Sequence, residues 1–229
     1  FPLNTWTHVA LTYDGFNIKS YKNGVLDQTL PASYNLQGLP LTLGTIHNAD
    51  INVTNDFDGA IDEVRVYKRA LSDAEVSQVY TGVFNQTADL VEDLNFNDPS
   101  VAWDQLRVYD NSSRANDGFL PHVPFQVSGK IGEAATFSGV SMDQITTTKT
   151  YNNPQDFSVA SWVRTSSASG HNFVGFEKMR AGPSTNYDRL LYVDLDGKVR
   201  FALFTGTQTT IPSTNAVTDG VWHHVIGTH

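Results

Sequence analysis

The sequence predicts an all-β protein, because three kinds of local pattern point the same way. Apolar and polar residues alternate with a period of two in several short segments, as in strands with one buried face. Tight hairpin turns are indicated between such segments by Asp14-Gly15, Asn23-Gly24 and Asp196-Gly197, where glycine tolerates a positive φ. Only a single segment carries helix-start signals. The predicted class is therefore a β-sandwich with one short helix.

Composition narrows the classes of protein further. The chain has 229 residues, of which 40% are hydrophobic and 17% charged, as in folded soluble proteins. A net charge of −9 argues against a nucleic-acid partner, because phosphate backbones are bound by Lys and Arg. No apolar run reaches the roughly 18 residues of a membrane-spanning helix. The absence of Cys excludes a disulfide framework, a thiolate metal site and a Cys nucleophile.

The strand-like segments follow one another with turn residues between them. The segments with the clearest alternation are 6–13, 16–21, 25–30, 157–163, 190–195 and 198–204. Segment 157–163 places Phe157, Val159 and Val163 on one face, as expected for a strand that covers a core. Each segment is short enough to be a sandwich strand.

A single helix is predicted at residues 73–80. Ser72 and Glu75 have the spacing of a capping box, in which each side chain bonds the other residue's backbone amide. Leu71 and Val76 stand at the positions of a hydrophobic staple, and Gly82 stands where two helical turns would end. We interpret this helix as a surface element that follows a strand, without a functional role.

The two ends of the chain resemble each other. Residues 4–10 (NTWTHVA) are similar to residues 219–225 (DGVWHHV), and Trp6 aligns with Trp222, 216 positions later. This match predicts that the chain covers about one period of a tandem repeat.

Longer motifs indicate a family. Those in the first part of the chain are WTHVALTYDG at 6–15, YKNG at 21–24, LTLG at 41–44 and FDGAIDEVRVYKRAL at 57–71. Those in the second part are LVEDLNF at 90–96, DNSSRANDG at 110–118, GKIGEAATF at 129–137 and DFSVASWVR at 156–164. The first set resembles the second half of a laminin G-like jelly roll of the concanavalin A-like lectin/glucanase superfamily, and the second set resembles its first half.

The resemblance implies a two-sheet antiparallel jelly-roll sandwich in permuted order. Residues 1–83 would be the C-terminal half of the domain, 84–89 a linker and 90–229 the N-terminal half. The halves belong either to two tandem modules or to one circular permutant. We favour one sandwich, closed within a chain or by strand exchange between chains, because a half sandwich would expose an apolar face and open edges. Segments 60–67 and 88–96 are then expected to pair.

Asp62 is the most informative polar residue. It shares the alternation of Val64 and Val66 and is therefore expected to point toward the core. A carboxylate in that position is costly unless it is hydrogen-bonded or binds a cation.

The resemblance implies a structural calcium ion near Asp62 and the loop 110–118. Calcium prefers oxygen ligands, so the predicted metal ligands are Asp62, Asp110 and Asn116. Arg114 departs from the family pattern by adding a positive charge. In the alternative interpretation, Asp62 accepts hydrogen bonds from loop amides without a metal.

Other candidate patterns favour structural interpretations. Asp194 to Gly197 is similar to the start of a calcium loop but lacks the acidic residue at position twelve, so a hairpin turn is predicted. The seven His residues lack the spacing of a zinc-binding helix and are interpreted as partly buried strand residues. Aromatic rings bind sugars, and four lie near the loop, namely Trp103, Tyr109, Phe119 and Phe125. Packing is the favoured interpretation for Trp103, and no ligand-binding residue is assigned.

Catalytic patterns are missing from the sequence. Glucanases of the superfamily carry Glu-x-Asp-x-x-Glu on one strand, and neither Glu63 nor Glu92 begins such a string. There is no Gly-x-Ser-x-Gly motif and no phosphate-binding glycine loop. We therefore predict that the protein is not an enzyme.

The predicted function is a noncatalytic, extracellular or cell-surface module of a larger protein. It would bind a glycan or a protein surface, as in cell adhesion, and hold structural calcium. The alternative is a structural building block of a surface layer or filament, in which strand edges pair chains. A polysaccharide hydrolase or lyase is the least favoured class. Self-association through strand exchange is expected as a further property, and membrane insertion is not.

Overall fold

The structure, a computed structural model, describes most of the chain. The described residues are 7–22, 24–31, 38–45, 47–48, 53–54, 56–83, 87, 89–97, 106–120, 125–139, 143–151, 157–168, 171–177, 187–204 and 208–228. Trp6, Trp103, His122 and His229 lie outside these ranges, so the predictions about them cannot be compared with the structure.

These residues form strands and one helix in the following order: β1 Thr7–Tyr13, β2 Asn17–Lys22, β3 Val25–Pro31, β4 Leu41–Leu43, β5 His47–Asn48, β6 Val53–Thr54, β7 Asp58–Tyr67, α1 Asp73–Thr81, β8 Leu90–Leu94, β9 Arg107–Val108, β10 Gly118–Phe119, β11 Phe125–Ser128, β12 Glu133–Ser138, β13 Ile145–Thr146, β14 Ser158–Arg164, β15 His171–Glu177, β16 Tyr187–Val193, β17 Lys198–Phe204, β18 Gln208–Ala216 and β19 Trp222–Thr228.

The strands build two large sheets, which confirms the predicted all-β sandwich. The first sheet has the order β11-β12-β7-β14-β19-β1-β2-β3, and β8 also pairs with β7. The second sheet has the order β18-β17-β16-β15-β4-β13-β10-β9, and β5 pairs with β6 separately. The predicted hairpins are present between β1 and β2, β2 and β3, and β16 and β17. Gly15, Gly24 and Gly197 adopt the positive φ that these turns require.

The main core lies between the two sheets. It joins Ile61, Val64 and Val66 of the first sheet to Leu43 and Phe201 of the second in one buried cluster. Burial of such side chains is the principal favourable contribution to folding.

The LTLG motif at 41–44 has a packing reason in this core. A Cβ atom at Gly44 would lie 2.3 Å from the ring of Phe137, and the φ of Gly44 is +86°. Only glycine therefore fits where β4 ends against that ring.

Helix α1 confirms the predicted helix and its caps. The amide of Glu75 donates to Ser72 Oγ at 3.4 Å, and the amide of Ser72 donates to Glu75 Oε2 at 2.8 Å. Leu71 and Val76 are buried in one cluster on the outer face of the first sheet, and Gly82 ends the helix in the left-handed conformation. Among the residues that the structure describes, no helix has the length and hydropathy needed to cross a membrane.

Each sheet contains strands from both parts of the chain. In the first sheet β7 lies between β12 and β14, and in the second β4 lies between β13 and β15. As expected, β7 also pairs with β8, from Val64 opposite Leu94 to Tyr67 opposite Leu90. Neither part of the chain therefore supplies a complete sheet by itself.

The pairing of β1 with β19 is parallel, unlike the antiparallel pairs on either side of it. Thr7 lies opposite His223, His8 opposite His224 and Val9 opposite Val225. These strands are the two similar segments from the ends of the chain, and they lie side by side in the middle of the first sheet.

Candidate functional site

Asp110 organises the loop between β9 and β10. Its Oδ1 accepts hydrogen bonds from the amides of Asp93 at 3.0 Å and Ser112 at 2.8 Å. Its Oδ2 accepts from Ser112 Oγ and from the amide of Asn116, both at 2.8 Å. A carboxylate has about four acceptor positions, so these hydrogen bonds, three from the loop and one from β8, already use all of them.

Asn116 joins the loop to a buried polar cluster. Its Oδ1 accepts from the amide of Lys149 at 2.7 Å, and its Nδ2 donates to Glu92 Oε2 at 3.0 Å. The Tyr151 hydroxyl donates to the same Glu92 oxygen. Burial raises the pKa of Glu92 well above its usual range, and the charge of Asp110 acts in the same direction.

Sequence reasoning missed Glu92 and Tyr151 as members of this cluster. A signal for Glu92 was present, because it shares the alternation of Leu90 and Leu94, which are buried on β8. Tyr151 lies outside the named strands, and only the fold places it beside Glu92.

Asp62 is buried, but it faces the side of the sheet opposite to the predicted one. Ile61 and Val64 both belong to the main core, whereas Ala60 packs on the outer face with Trp162. Glu63, between Asp62 and Val64, has a φ of 53°, and the register of the β7–β14 pairing shifts opposite this point. Such a β-bulge adds one residue to the strand. Strict alternation fails there, so Asp62 lies on the outer face with Ala60.

The loop after β11 covers Asp62 on that face. Asp62 Oδ2 accepts from the amides of Lys130 at 2.8 Å and Ile131 at 2.9 Å. Burial raises the pKa of Asp62 to about 7, and the adjacent Glu63 carboxylate adds to the rise while the amide hydrogen bonds oppose it. Asp62 thus accepts hydrogen bonds from loop amides, as the alternative interpretation describes.

The three predicted metal ligands do not fit one calcium ion in this arrangement. The fold brings Asp110 and Asn116 together, whereas Asp62 is bonded to a different loop. The oxygen atoms of Asp110 and Asn116 already accept hydrogen bonds, and calcium needs 6–8 oxygen ligands. Within the described part of the chain, no group of three or more His, Cys, Asp or Glu side chains could hold a metal. Calcium therefore stays a prediction from the resemblance.

A surface groove of about 490 Å³ lies beside the Asp110 loop at the β9 edge of the second sheet. Phe119 lines it with half of its surface exposed. Arg107 and Asp117 also line it, with Arg107 Nη1 3.8 Å from Asp117 Oδ2. Asp117 Oδ1 accepts the amide of Asp110 at 3.0 Å, which links the groove to the loop.

The backbone of the groove is strained at two places. Leu106 and Ala115, which both line it, have φ angles of 57° and 46°. Non-glycine residues in this conformation cost about 1–3 kcal/mol each and cluster at functional sites. The groove thus combines an accessible ring, a charged pair and backbone conformations that the surrounding fold enforces.

Two other predicted features are structural. The amide of Gly197 donates to the carbonyl of Asp194 at 2.8 Å, which confirms the hairpin turn there. His223 on β19 is fully buried, and its Nε2 lies 2.7 Å from Asp219 Oδ1. Burial lowers the pKa of His223, although Asp219 opposes this shift.

The comparisons with known proteins identify the family. A laminin G-like family model, described as the concanavalin A-like lectin/glucanases superfamily, matches residues 1–77 and 138–229. The chain belongs to this family, since the matched residues are well over half of its length. No curated protein and no solved structure is significantly similar to the chain. The matched residues include Asp62, but they leave out Asp110, Asn116 and most of the groove.

Proposed function

We propose that the protein is a noncatalytic extracellular module that binds a glycan in the groove beside the Asp110 loop. The observation that carries this proposal is the half-exposed ring of Phe119 next to the Arg107–Asp117 pair. Family membership supports a binding module, because the superfamily comprises lectins and glucanases.

The chemistry of the groove suits a sugar ring. An exposed aromatic ring covers the apolar face of a pyranose. Arg107 donates hydrogen bonds and Asp117 accepts them, so together they complement sugar hydroxyl groups, which do both. The groove is formed without a ligand, which lowers the entropic cost of binding.

The same groove supports the noncatalytic interpretation. Glycoside hydrolysis commonly uses two carboxyl groups on opposite sides of the scissile bond. Among the described residues that line the groove, Asp117 is the only acidic one. It accepts a backbone amide and faces Arg107, which suits a binding residue better than a general acid.

The test is a glycan array followed by calorimetric titration of the glycan that binds. Phe119→Ala should weaken binding by about 5- to 30-fold, the effect of losing 1–2 kcal/mol of ring contact. Phe16→Ala is the matched control, since Phe16 is 78% exposed in the turn between β1 and β2. Equal affinity of the Phe119→Ala variant, or no bound glycan on a broad array, would overturn the proposal.

A second candidate function is a structural building block. The strand β3 lies at the edge of the first sheet and exposes Val25, Leu26 and Leu30. An exposed apolar edge strand is a template for pairing with another chain. Analytical ultracentrifugation distinguishes the two candidates, because a building block forms open-ended assemblies whereas a binding module remains a defined small species.

A further inference from the structure

The first sheet contains two strands of similar sequence. The similar segments at the two ends of the chain form β1 and β19, and their pairing follows the alignment of the repeat, with 216 positions between partners. The edge of β19 is therefore covered by a strand that resembles β19 itself. We call this β1–β19 contact the repeat seam.

We propose that two copies of this chain exchange the segment β1–β3 across the repeat seam. In the exchanged dimer, β1 of each copy lies against β19 of the other. The occupant of the β19 edge is thus a second copy of this chain, because every copy carries the strand that this edge already accepts. This inference is independent of the proposed glycan binding.

The pairings on either side of the seam show why the sheet would open there. Strand β1 pairs with β19 in parallel, whereas the β1–β2 and β14–β19 pairs on either side are antiparallel. Parallel pairs are slightly less stable per residue than antiparallel ones. The hairpins of β1–β3 therefore stay together and separate from β19 as a unit.

The remaining contacts of β1–β3 can be remade between copies. Tyr13 and Ile18 insert into the main core, and the Tyr21 hydroxyl donates to Asp73 Oδ1 at 2.6 Å. Thr214 Oγ1 on β18 donates to Asp27 on β3. Because the second copy has the same residues, exchange loses none of these contacts and costs mainly the entropy of association. A rising concentration therefore favours the dimer.

Cysteine cross-linking tests the exchange directly, because the chain contains no Cys. Val9→Cys is made in one chain and Val225→Cys in a second chain that carries a mass tag. The two are mixed, unfolded, refolded at rising concentration and oxidised. Exchange predicts a mixed disulfide dimer of intermediate mass on a non-reducing gel, since Val9 and Val225 are register partners.

The matched control uses two paired residues that both lie on the β19 side of the repeat seam. Ala160 and Ile226 are partners between β14 and β19, which stay in the same chain when β1–β3 exchanges. Ala160→Cys mixed with tagged Ile226→Cys should therefore give no mixed dimer. The proposal is overturned by a missing Val9–Val225 mixed dimer, or by equal amounts of mixed dimer from both pairs.

Light scattering gives a second measurement that includes the unmodified chain. Refolding at rising concentration should increase the fraction of dimer, and the Val9→Cys/Val225→Cys double variant, oxidised as a monomer, should stay monomeric. A wild-type chain that refolds only to monomer at every concentration would contradict the exchange. Phe119→Ala should form the dimer as the wild type does, which separates this result from failure of glycan binding.

Discussion

Buried carboxyl groups couple the stability of this protein to pH. Asp62 lies under the loop after β11 with a pKa of about 7, and burial raises the pKa of Glu92 well above its usual range. Both groups hold their protons in the folded state at pH values where they lose them in the unfolded chain. Through these two groups the folded protein binds more protons than the unfolded chain once the pH passes their unfolded pKa values near 4. Their contribution to stability therefore falls as the pH rises toward their folded pKa values.

Replacing Asp62 by Asn should remove part of this pH dependence. For Asp62 the loss runs from the unfolded pKa near 4 up to about 7 and amounts to roughly 2–4 kcal/mol. Asn keeps an oxygen for the amides of Lys130 and Ile131 but does not ionise. Urea unfolding at pH 5 and pH 8 should show a smaller difference for Asp62→Asn than for the wild type.

Asp58→Asn serves as the control for this measurement, because Asp58 is exposed on the same strand. It should leave the pH dependence unchanged. If Asp62→Asn and the wild type lose equal stability between the two pH values, Asp62 is ionised in the folded protein and the argument fails.

The Asp110 carboxylate accepts as many hydrogen bonds as it can, and this leads to a prediction about calcium. Its four acceptor positions are filled by the loop and by the Asp93 amide of β8, so excess calcium or a chelator should leave the melting temperature unchanged. Asp110→Ala should destabilise the protein by about 2–4 kcal/mol with or without calcium, because buried donors lose their acceptor. A melting temperature that rises with calcium in the wild type and not in Asp110→Ala would instead establish the site implied by the resemblance.

At the scale of single elements, local chemistry decides where each element begins and ends. Helix α1 begins at a reciprocal cap between Ser72 and Glu75, and Arg69 holds the Glu75 carboxylate with two hydrogen bonds of 2.8 and 2.6 Å. Those hydrogen bonds from Arg69 lower the pKa of Glu75 to about 2. The helix covers the outer face of the first sheet through Val76 and Val79. The N-terminal cap of α1 therefore helps to hold the helix that covers this face.

Ser72→Ala should lower the free energy of unfolding by about 1 kcal/mol, the usual effect of losing an N-cap hydroxyl. Gln78→Ala is the matched control, because Gln78 is exposed on the same helix and its side chain caps nothing. Urea unfolding measures both variants. An equal effect of the two substitutions would show that the cap contributes nothing beyond helix propensity.

At the scale of the whole molecule, the sandwich depends on both parts of the chain. Strands β7 and β4 from the first part lie between strands of the second part in the two sheets. Removing either part would leave unpaired strand edges and an open core. We propose that residues 1–83 and 90–229 form one folding unit, in agreement with these pairings.

Fragment complementation tests this proposal. The fragments 1–83 and 90–229, produced separately, should each lack near-ultraviolet circular dichroism and a cooperative unfolding transition. Mixing them should restore both signals, since the paired strands then have their partners. Cooperative unfolding of either fragment alone would show that the two parts are separate domains.

The sequence by itself determined the features that depend on neighbouring residues. Alternation located six strands, namely β1, β2, β3, β14, β16 and β17. Gly24 and Gly197 located hairpin turns, and Ser72 with Glu75 located the helix start. These features follow from backbone conformation and from hydrogen bonds within a few residues, which operate before the chain has folded. The family motifs added the sandwich class, and the family match agrees with it.

Only the tertiary structure decided the features that depend on distant partners. The bulge at Glu63 reverses the face of Asp62, and it arises where β7 pairs with β14, about a hundred residues away in sequence. Phe119 and Arg107 form a groove because β9 and β10 pair at the edge of the second sheet. The parallel contact of β1 with β19 likewise appears only when the sheet closes. Pairing register and side-chain direction are set by the whole sheet. Wherever a bulge inserts a residue, the alternation of side chains between the two faces shifts by one residue.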